Sequence, residues 1–380
     1  MLTFQPDNSF EKYLCDKAFE KQTPINGTFE LTPTCNMNCN MCYIRMSSNE
    51  ISGKELLSAN DWIRIGKEAV DNGCAFLLLT GGEPLLYPSF SDLYTQLRNL
   101  GLIITINTNG TLINDNLIKV LKENRPRRLN ISLYGSSNET YAKLCHNPQG
   151  FTQTMKGIHM LLDNGIQVKA NLTLTPQNIQ DLDSMIDITE KLGIPITIAN
   201  YTFPPVRKEN VKIKEYIRLT PQQAANVQFY TFYREYHKLP NFREIIEKRL
   251  NDINLCQHAV REEILPPGGL LCTAGVSSFW VNWKGEISPC GMLQKPMRSL
   301  KEYAFKEAWE AIKAETKQIF TSKKCFNCRF RKICKACGAA SFAENHDFSL
   351  PAAYHCELNE AYEKLLKEEL KKLEQKKINK

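Results

Sequence analysis

Between residues 28 and 203, short apolar runs alternate with longer stretches in which apolar residues recur every three or four positions. The short runs, at 28–32, 76–80, 103–108, 129–133, 168–175 and 196–201, read as strands. The longer stretches, at 60–71, 90–100, 152–163 and 179–192, read as amphipathic helices. Apolar strands separated by helices predict parallel strands with helical cover, here in six units. The irregular residues favour a partial (β/α)6 TIM-like barrel over an open doubly wound sheet. Chemistry in such folds gathers at the C-terminal ends of the strands. Here 34–43, 81–84, 109–110 and 134–136 each directly follow a strand.

Beyond 203 the pattern changes. Helical periodicity at 221–237 and 243–250 is followed by a break at Pro266, Pro267, Gly268 and Gly269. A cysteine-rich region follows, with short strand signals at 278–281 and 286–287. In 357–380, Lys and Glu surround Leu358, Leu365, Leu366, Leu370 and Leu373, which describes one amphipathic helix with a solvated face. The expected division is an N-terminal extension at 1–27, a barrel at 28–205, a helical linker at 206–265, a cysteine-rich domain at 266–357 and a C-terminal helix at 358–380.

The 380 residues are 42% hydrophobic and 23% charged, the balance of an ordinary globular protein. No basic segment followed by an apolar one opens the chain, and no apolar run is long enough to cross a bilayer. A cytoplasmic location without membrane contact is therefore expected. In a reducing compartment the fourteen cysteines read as metal ligands or redox groups rather than disulfides. The net charge of +7 is modest. Its densest cluster, Lys323, Lys324, Arg329, Arg331, Lys332 and Lys335, is interleaved with cysteines. Cations there suit a thiolate-rich site better than a nucleic-acid partner, and none is expected.

Cys35, Cys39 and Cys42 follow the first strand at once. Three thiolates on a loop suit three irons of a cubane cluster and leave the fourth iron open. Structural zinc asks for a fourth local ligand, which is missing. The run CNMNCNMCY at 35–43, with Gly81-Gly82-Glu83-Pro84 after the second strand, resembles the radical S-adenosylmethionine (SAM) superfamily. The resemblance implies a [4Fe–4S] cluster on the three cysteines, whose open iron chelates SAM. An external one-electron reductant of flavodoxin or ferredoxin type would drive cleavage to a 5′-deoxyadenosyl radical. It also implies that Tyr43 lies against the adenine and that Gly81, Gly82, Glu83 and Pro84 form the turn holding the methionine amino group. Asn109 and Ser132 match strand-end positions near the SAM ribose and carboxylate, although Tyr134 stands where many relatives have Asp.

The C-terminal cysteines are Cys272, Cys290, Cys325, Cys328, Cys334, Cys337 and Cys356. Paired Cys-x2-Cys is also the zinc-ribbon spacing, but seven thiols neither close one tetrahedral site nor divide between two. The pattern resembles the SPASM extension, which carries two auxiliary [4Fe–4S] clusters. That implies Cys325, Cys328, Cys334 and Cys356 on the distal cluster and Cys272, Cys290 and Cys337 on the inner one. Cys256 or an open position completes the inner set. The family often has three residues where this chain has two, between Cys334 and Cys337.

SPASM enzymes mostly act on peptides, so the expected reaction is hydrogen abstraction from a peptide or protein, giving a thioether or carbon–carbon cross-link or an epimer. Only about 27 residues precede the first strand, so a leader-binding domain is not expected there. Epimerisation would need a thiol hydrogen donor, and Cys145, after the fourth strand, is the candidate. Cys15, Cys74 and otherwise Cys145 read as buried apolar groups. Two alternatives are decarboxylation of a small or tetrapyrrole substrate and anaerobic sulfatase maturation. The second usually has an acid after the inner-cluster cysteine, where this chain has Gly291 and Met292.

Overall fold

The computed structural model describes residues 9–204, 217–254, 268–270, 272–293, 295–334 and 336–378. Its centre is a nine-stranded sheet in the order β6-β5-β4-β3-β2-β1-β7-β8-β9. Six strands come from the barrel units: β1 (Asn26–Glu30), β2 (Phe76–Thr80), β3 (Ile103–Thr108), β4 (Arg128–Leu133), β5 (Val168–Thr173) and β6 (Ile196–Ala199). They are parallel throughout. Three more come from the cysteine-rich region: β7 (Ser278–Val281), β8 (Glu286–Ser288) and β9 (Arg298–Ser299). β7 joins the free edge of β1 in parallel, and β8 and β9 continue antiparallel. The sheet is thus a partial barrel extended past β1.

Alternation along the strands decides what each face does. Ile104, Ile106, Leu129, Ile131, Leu133, Ala170 and Leu172 are fully buried in the core beneath the helices. The opposite row, Thr105, Asn107, Asn130, Ser132, Lys169 and Asn171, is polar and only half-buried. One face is therefore a helix-covered core and the other lines a polar lumen.

The predicted helices form at Ala59–Asp71, Phe90–Asn99, Gly150–Asp163 and Leu182–Lys191. Ser58 and Asp61 close the first as a capping box. Periodicity alone misses Ser9–Lys21, Asp115–Glu123, Asn138–Cys145 and Gly338–Asn345, most of them short or poor in strong apolar residues. Ser9–Lys21 lies in the expected extension and packs Ala18 against Ile25 and Phe76 at the N-terminal end of the sheet. The C-terminal helix corrects a boundary. It runs Ala353–Ile378, so Cys356 sits in its first turn rather than ahead of it. Its buried Tyr354, Leu358, Tyr362 and Leu366 belong to the main core. Among the described residues no helix is long and apolar enough to cross a membrane.

Candidate active site

The loop after β1 and the turn after β2 are built as one unit. The Gly82 N–H donates to the Thr32 carbonyl at 2.7 Å and the Glu83 N–H to that of Thr34 at 2.8 Å. Gly81 has φ +155°, and a Cβ there would stand 2.5 Å from the Thr32 oxygen. At Gly82 a Cβ would stand 2.2 Å from the Thr34 oxygen. Both glycines thus make room for the backbone that leads into Cys35.

Pro84 starts a short 3-10 turn, Pro84–Leu86. Fully buried Glu83 spends its carboxylate on the end of β3, accepting from Thr108 Oγ1 at 2.7 Å and the Asn109 N–H at 2.8 Å. Burial pushes its carboxyl up to about 7 against these hydrogen bonds. Asn109 passes the connection on. Its Nδ2 donates to Asn36 Oδ1 at 2.8 Å and approaches Cys35 Sγ at 3.8 Å, while its Oδ1 accepts from Thr111.

The far side of the loop rests on the C-terminus of the helix Asn138–Cys145. The N–H groups of Asn38 and Asn40 donate to the carbonyls of Cys145 and Leu144, which a helix end leaves without partners. Asn40 Nδ2 donates to the Lys143 carbonyl at 3.1 Å and to Gln177 Oε1 at 2.9 Å. The Asn40 Oδ1 meets His146 Nε2 at 2.8 Å. Asn36, Asn40 and Thr108 were not singled out from the sequence. The signal was the repeated Asn between the cysteines, which periodicity does not weigh.

Cys35, Cys39 and Cys42 are half-buried at this junction and take no part in a disulfide. Burial pushes the Cys35 thiol up to about 12, and the neighbouring Cys145 thiol together with burial pushes Cys39 well up. Backbone N–H groups are nevertheless aimed at sulfur, Met37 to Cys35 at 3.4 Å and Arg45 to Cys42 at 3.2 Å. Donors placed this way suit sulfur carrying negative charge as a cluster ligand, so the residues fit an iron–sulfur group. Cys145 itself is fully buried with Tyr141 and Leu144 under the loop. Tyr43 is half-buried beside Cys42, and Ser132 lies on the lumen row of β4 opposite Asn171.

Six of the C-terminal cysteines, Cys272, Cys325, Cys328, Cys334, Cys337 and Cys356, line one cavity of about 420 Å³. Cys356 senses the charges of Cys325, Cys334 and Cys328, whereas Cys290 senses those of Cys272 and Cys337. Cys334 stands between, sensing both Cys328 and Cys337. Cys337 caps the N-terminus of the helix Gly338–Asn345; burial pushes its thiol up, and the Ala340 and Ala339 N–H groups partly oppose this. Cys256 lies outside the described residues. Among the described residues no three His, Cys, Asp or Glu side chains converge as they would around a single metal ion. A cubane does not ask for that, because its thiolates sit on separate irons. Of the nearby cations, Arg329 pairs with Glu363 at 2.8 and 2.7 Å and Lys332 with Asp252.

Comparison with known proteins agrees with this geometry. The family described as the Radical SAM superfamily matches residues 29–188. The chain is 25% identical over 332 residues to the AdoMet-dependent heme synthase of Methanosarcina barkeri, covering 84% of this chain and 93% of that protein. It is also 25% identical over 276 residues to the antilisterial bacteriocin subtilosin biosynthesis protein AlbA of Bacillus subtilis, covering 72% of this chain and 56% of that one. Among solved structures, Streptococcus suis SuiB bound to its precursor peptide SuiA superposes with a TM-score of 0.67 at 19% identity, over 90% of this chain and 80% of that one.

Proposed function

We propose that the chain, whose residues 29–188 match the Radical SAM superfamily, binds SAM and a [4Fe–4S] cluster as that family does and catalyses a net oxidation of its substrate by hydrogen abstraction. In this reading Cys35, Cys39 and Cys42 hold the radical-generating cluster. Tyr43, the backbone of 81–84 and Ser132 hold SAM. Asn109 is assigned to the loop, since its amide is committed to Asn36 and Cys35. Cys325, Cys328, Cys334 and Cys356 hold one auxiliary cluster, and Cys272, Cys290 and Cys337, with Cys256, hold the other. When bound, these groups supply a 5′-deoxyadenosyl radical that removes a substrate hydrogen and a sink for the electron left behind. The chain's own part is to fix the cysteine loop on two sides, through Asn36 and Asn40, and to offer a polar lumen below it.

The observation that favours oxidation over epimerisation is the place of Cys145. An epimerase needs a thiol that reaches the substrate carbon, and Cys145 is fully buried against Cys39 beneath the loop. Cross-linking and decarboxylation both leave an electron to be accepted, which gives the auxiliary clusters a task. The first substrate reading is a peptide, supported by the likeness to AlbA. The second is a carboxylated tetrapyrrole, supported by a likeness to the heme synthase that spans 93% of that protein. Sulfatase maturation is disfavoured by Gly291, which packs on the Trp280 ring where an acid is expected.

Anaerobic reconstitution tests the assignment. Three cubanes imply roughly twelve irons per chain. Substituting Cys35, Cys39 and Cys42 together by Ala should abolish 5′-deoxyadenosine formation and leave about eight irons. Continued formation would remove the triplet from its role, and about four irons with bound zinc would remove the auxiliary clusters. Product mass separates the substrates: loss of hydrogen alone marks a cross-link, and loss of hydrogen with carbon dioxide marks decarboxylation.

A further inference from the structure

His355 and Asn359 are buried polar residues outside the assignment above, 4% and 2% exposed. They lie four positions apart on the C-terminal helix, hence on one face, and Cys356 adjoins them. Both line the cysteine cavity together with Cys325, Cys328, Cys334 and Cys356. Both also line a second cavity of about 210 Å³, beside Ala199, Asn200 and Tyr201 at the C-terminal end of β6. The pair is therefore a wall. On one side lie the distal cysteines, and on the other a space at the end of the sheet that carries the cysteine loop.

The donors of that wall face sulfur. Asn359 Nδ2 donates one hydrogen to the His355 carbonyl at 2.6 Å. Burial pushes the Cys334 thiol up, and hydrogen bonds from the Ala336 N–H and the Asn359 side chain oppose this. An amide NH2 carries two hydrogens, so Asn359 can serve the carbonyl and the sulfur together. His355 Nδ1 is buried with no hydrogen-bond partner among the described residues. The carboxylate that His355 senses, Glu344, is committed to Arg218 and to the Tyr201 hydroxyl at 2.8 Å. The Tyr201 ring, its centroid 4.4 Å from that of His355, packs against the imidazole and limits its rotation. A buried ring nitrogen left without a partner costs stability unless something in the cavity completes it. A cluster on these cysteines would bring negatively charged, hydrogen-bond-accepting sulfur to that place.

We propose that Asn359 and His355 are hydrogen-bond donors that tune the distal auxiliary cluster, raising its affinity for an electron. This deepens the auxiliary-cluster reading above and rests on it. Reduction adds negative charge to a cluster, so a donor aimed at its sulfur stabilises the reduced form more than the oxidised one. Both are positioning residues, acting through the cluster rather than on the substrate. An apolar wall in the same place would leave the cluster a poorer electron acceptor.

The test is a redox titration of the reconstituted full chain, followed by electron paramagnetic resonance. Added SAM identifies the signal of the triplet, and Cys356→Ser that of the distal cluster. Asn359→Leu and His355→Phe each remove a donor while filling its space. Each should keep about twelve irons. Each should lower the distal cluster's one-electron reduction constant about tenfold, a shift of about 59 mV. The other two clusters should not move, and His355→Gln, which keeps a donor, should recover most of the lost affinity. Wild-type potentials in both variants at full iron content would overturn the proposal. So would loss of the distal irons, which would make His355 a ligand or Asn359 a structural prop. Failure of the reading beneath it looks different: wild type itself would hold about four irons, and both would fall together.

Discussion

Glu83 illustrates how a single residue ties two strand ends together at a cost that depends on pH. Its carboxyl is raised to about 7 by burial, above the 4.5 of a free Glu. A raised carboxyl means that the folded chain binds the proton more tightly than the unfolded one. Its contribution is therefore complete below about pH 4.5 and lost as pH rises through about 7. Between pH 5 and pH 8, wild type should lose on the order of 2 kcal/mol relative to Glu83→Gln, read as the difference in melting slopes. Parallel slopes would show that the carboxylate is not desolvated. Gly82→Ala is harsher, because the added Cβ meets the Thr34 oxygen at 2.2 Å. That variant should assemble about eight irons instead of about twelve, with the loss at the triplet. The sequence identified these residues but not their physical reason. The resemblance makes Gly81 and Gly82 part of a turn that holds the methionine amino group, whereas the closest clashes for an added Cβ come from the chain's own Thr32–Thr34 backbone, a contact between segments some fifty residues apart.

Among the elements, the cysteine loop depends on a helix that periodicity did not reveal. Asn138–Cys145 is eight residues long and half polar, and its value lies in the carbonyls it presents to Asn38 and Asn40. Asn40→Ala removes side-chain bonds to Lys143, Gln177 and His146 and should cost about 1–3 kcal/mol. Iron loss to a chelator from this variant should be several-fold faster at the triplet and unchanged at the other cysteines. Equal rates would mean that the loop holds its shape alone. The C-terminal helix is tied to the second cysteine set in a comparable way. Hydrogen bonds from Arg329 and Lys367 hold buried Glu363 down to about 2. A depressed carboxyl stabilises fully above the usual Glu range and loses that stabilisation as pH falls through about 2. Because Arg329 is 47% exposed, the pair is worth about 1–2 kcal/mol. Acid melts of Glu363→Gln should accordingly flatten between pH 5 and pH 2.5. The helix was legible from its Leu spacing, but its start was not: Ala353, Tyr354 and His355 carry no capping signal, and tertiary burial of Tyr354 and Leu358 sets the boundary.

At the scale of the whole molecule, the six parallel units and the β7 strand were readable because each is a local pattern. Their joining was not. Parallel pairing between β1 and β7 links residues 26–29 to 278–281, and nothing in either segment names its partner. The joint is close-packed: a Cβ on Gly27 would stand 2.6 Å from the Phe279 ring, which itself packs on Phe305 and Trp309. The helix that starts at Phe305 is anchored back on the barrel, its N–H donating to Glu68 Oε2 at 2.9 Å, and Arg64 donates to the Leu300 carbonyl. Barrel and cysteine-rich region therefore share both a sheet and a core, and neither edge strand is covered without the other. The full chain should unfold in one cooperative step. A fragment ending at 204 should melt about 10 °C lower or aggregate through the bare edge of β1. Gly27→Val, which drives a wedge into the joint, should lower that single transition by about 1–3 kcal/mol without splitting it. Two transitions in wild type, only one of them moved by Gly27→Val, would instead establish two independently stable domains that merely touch.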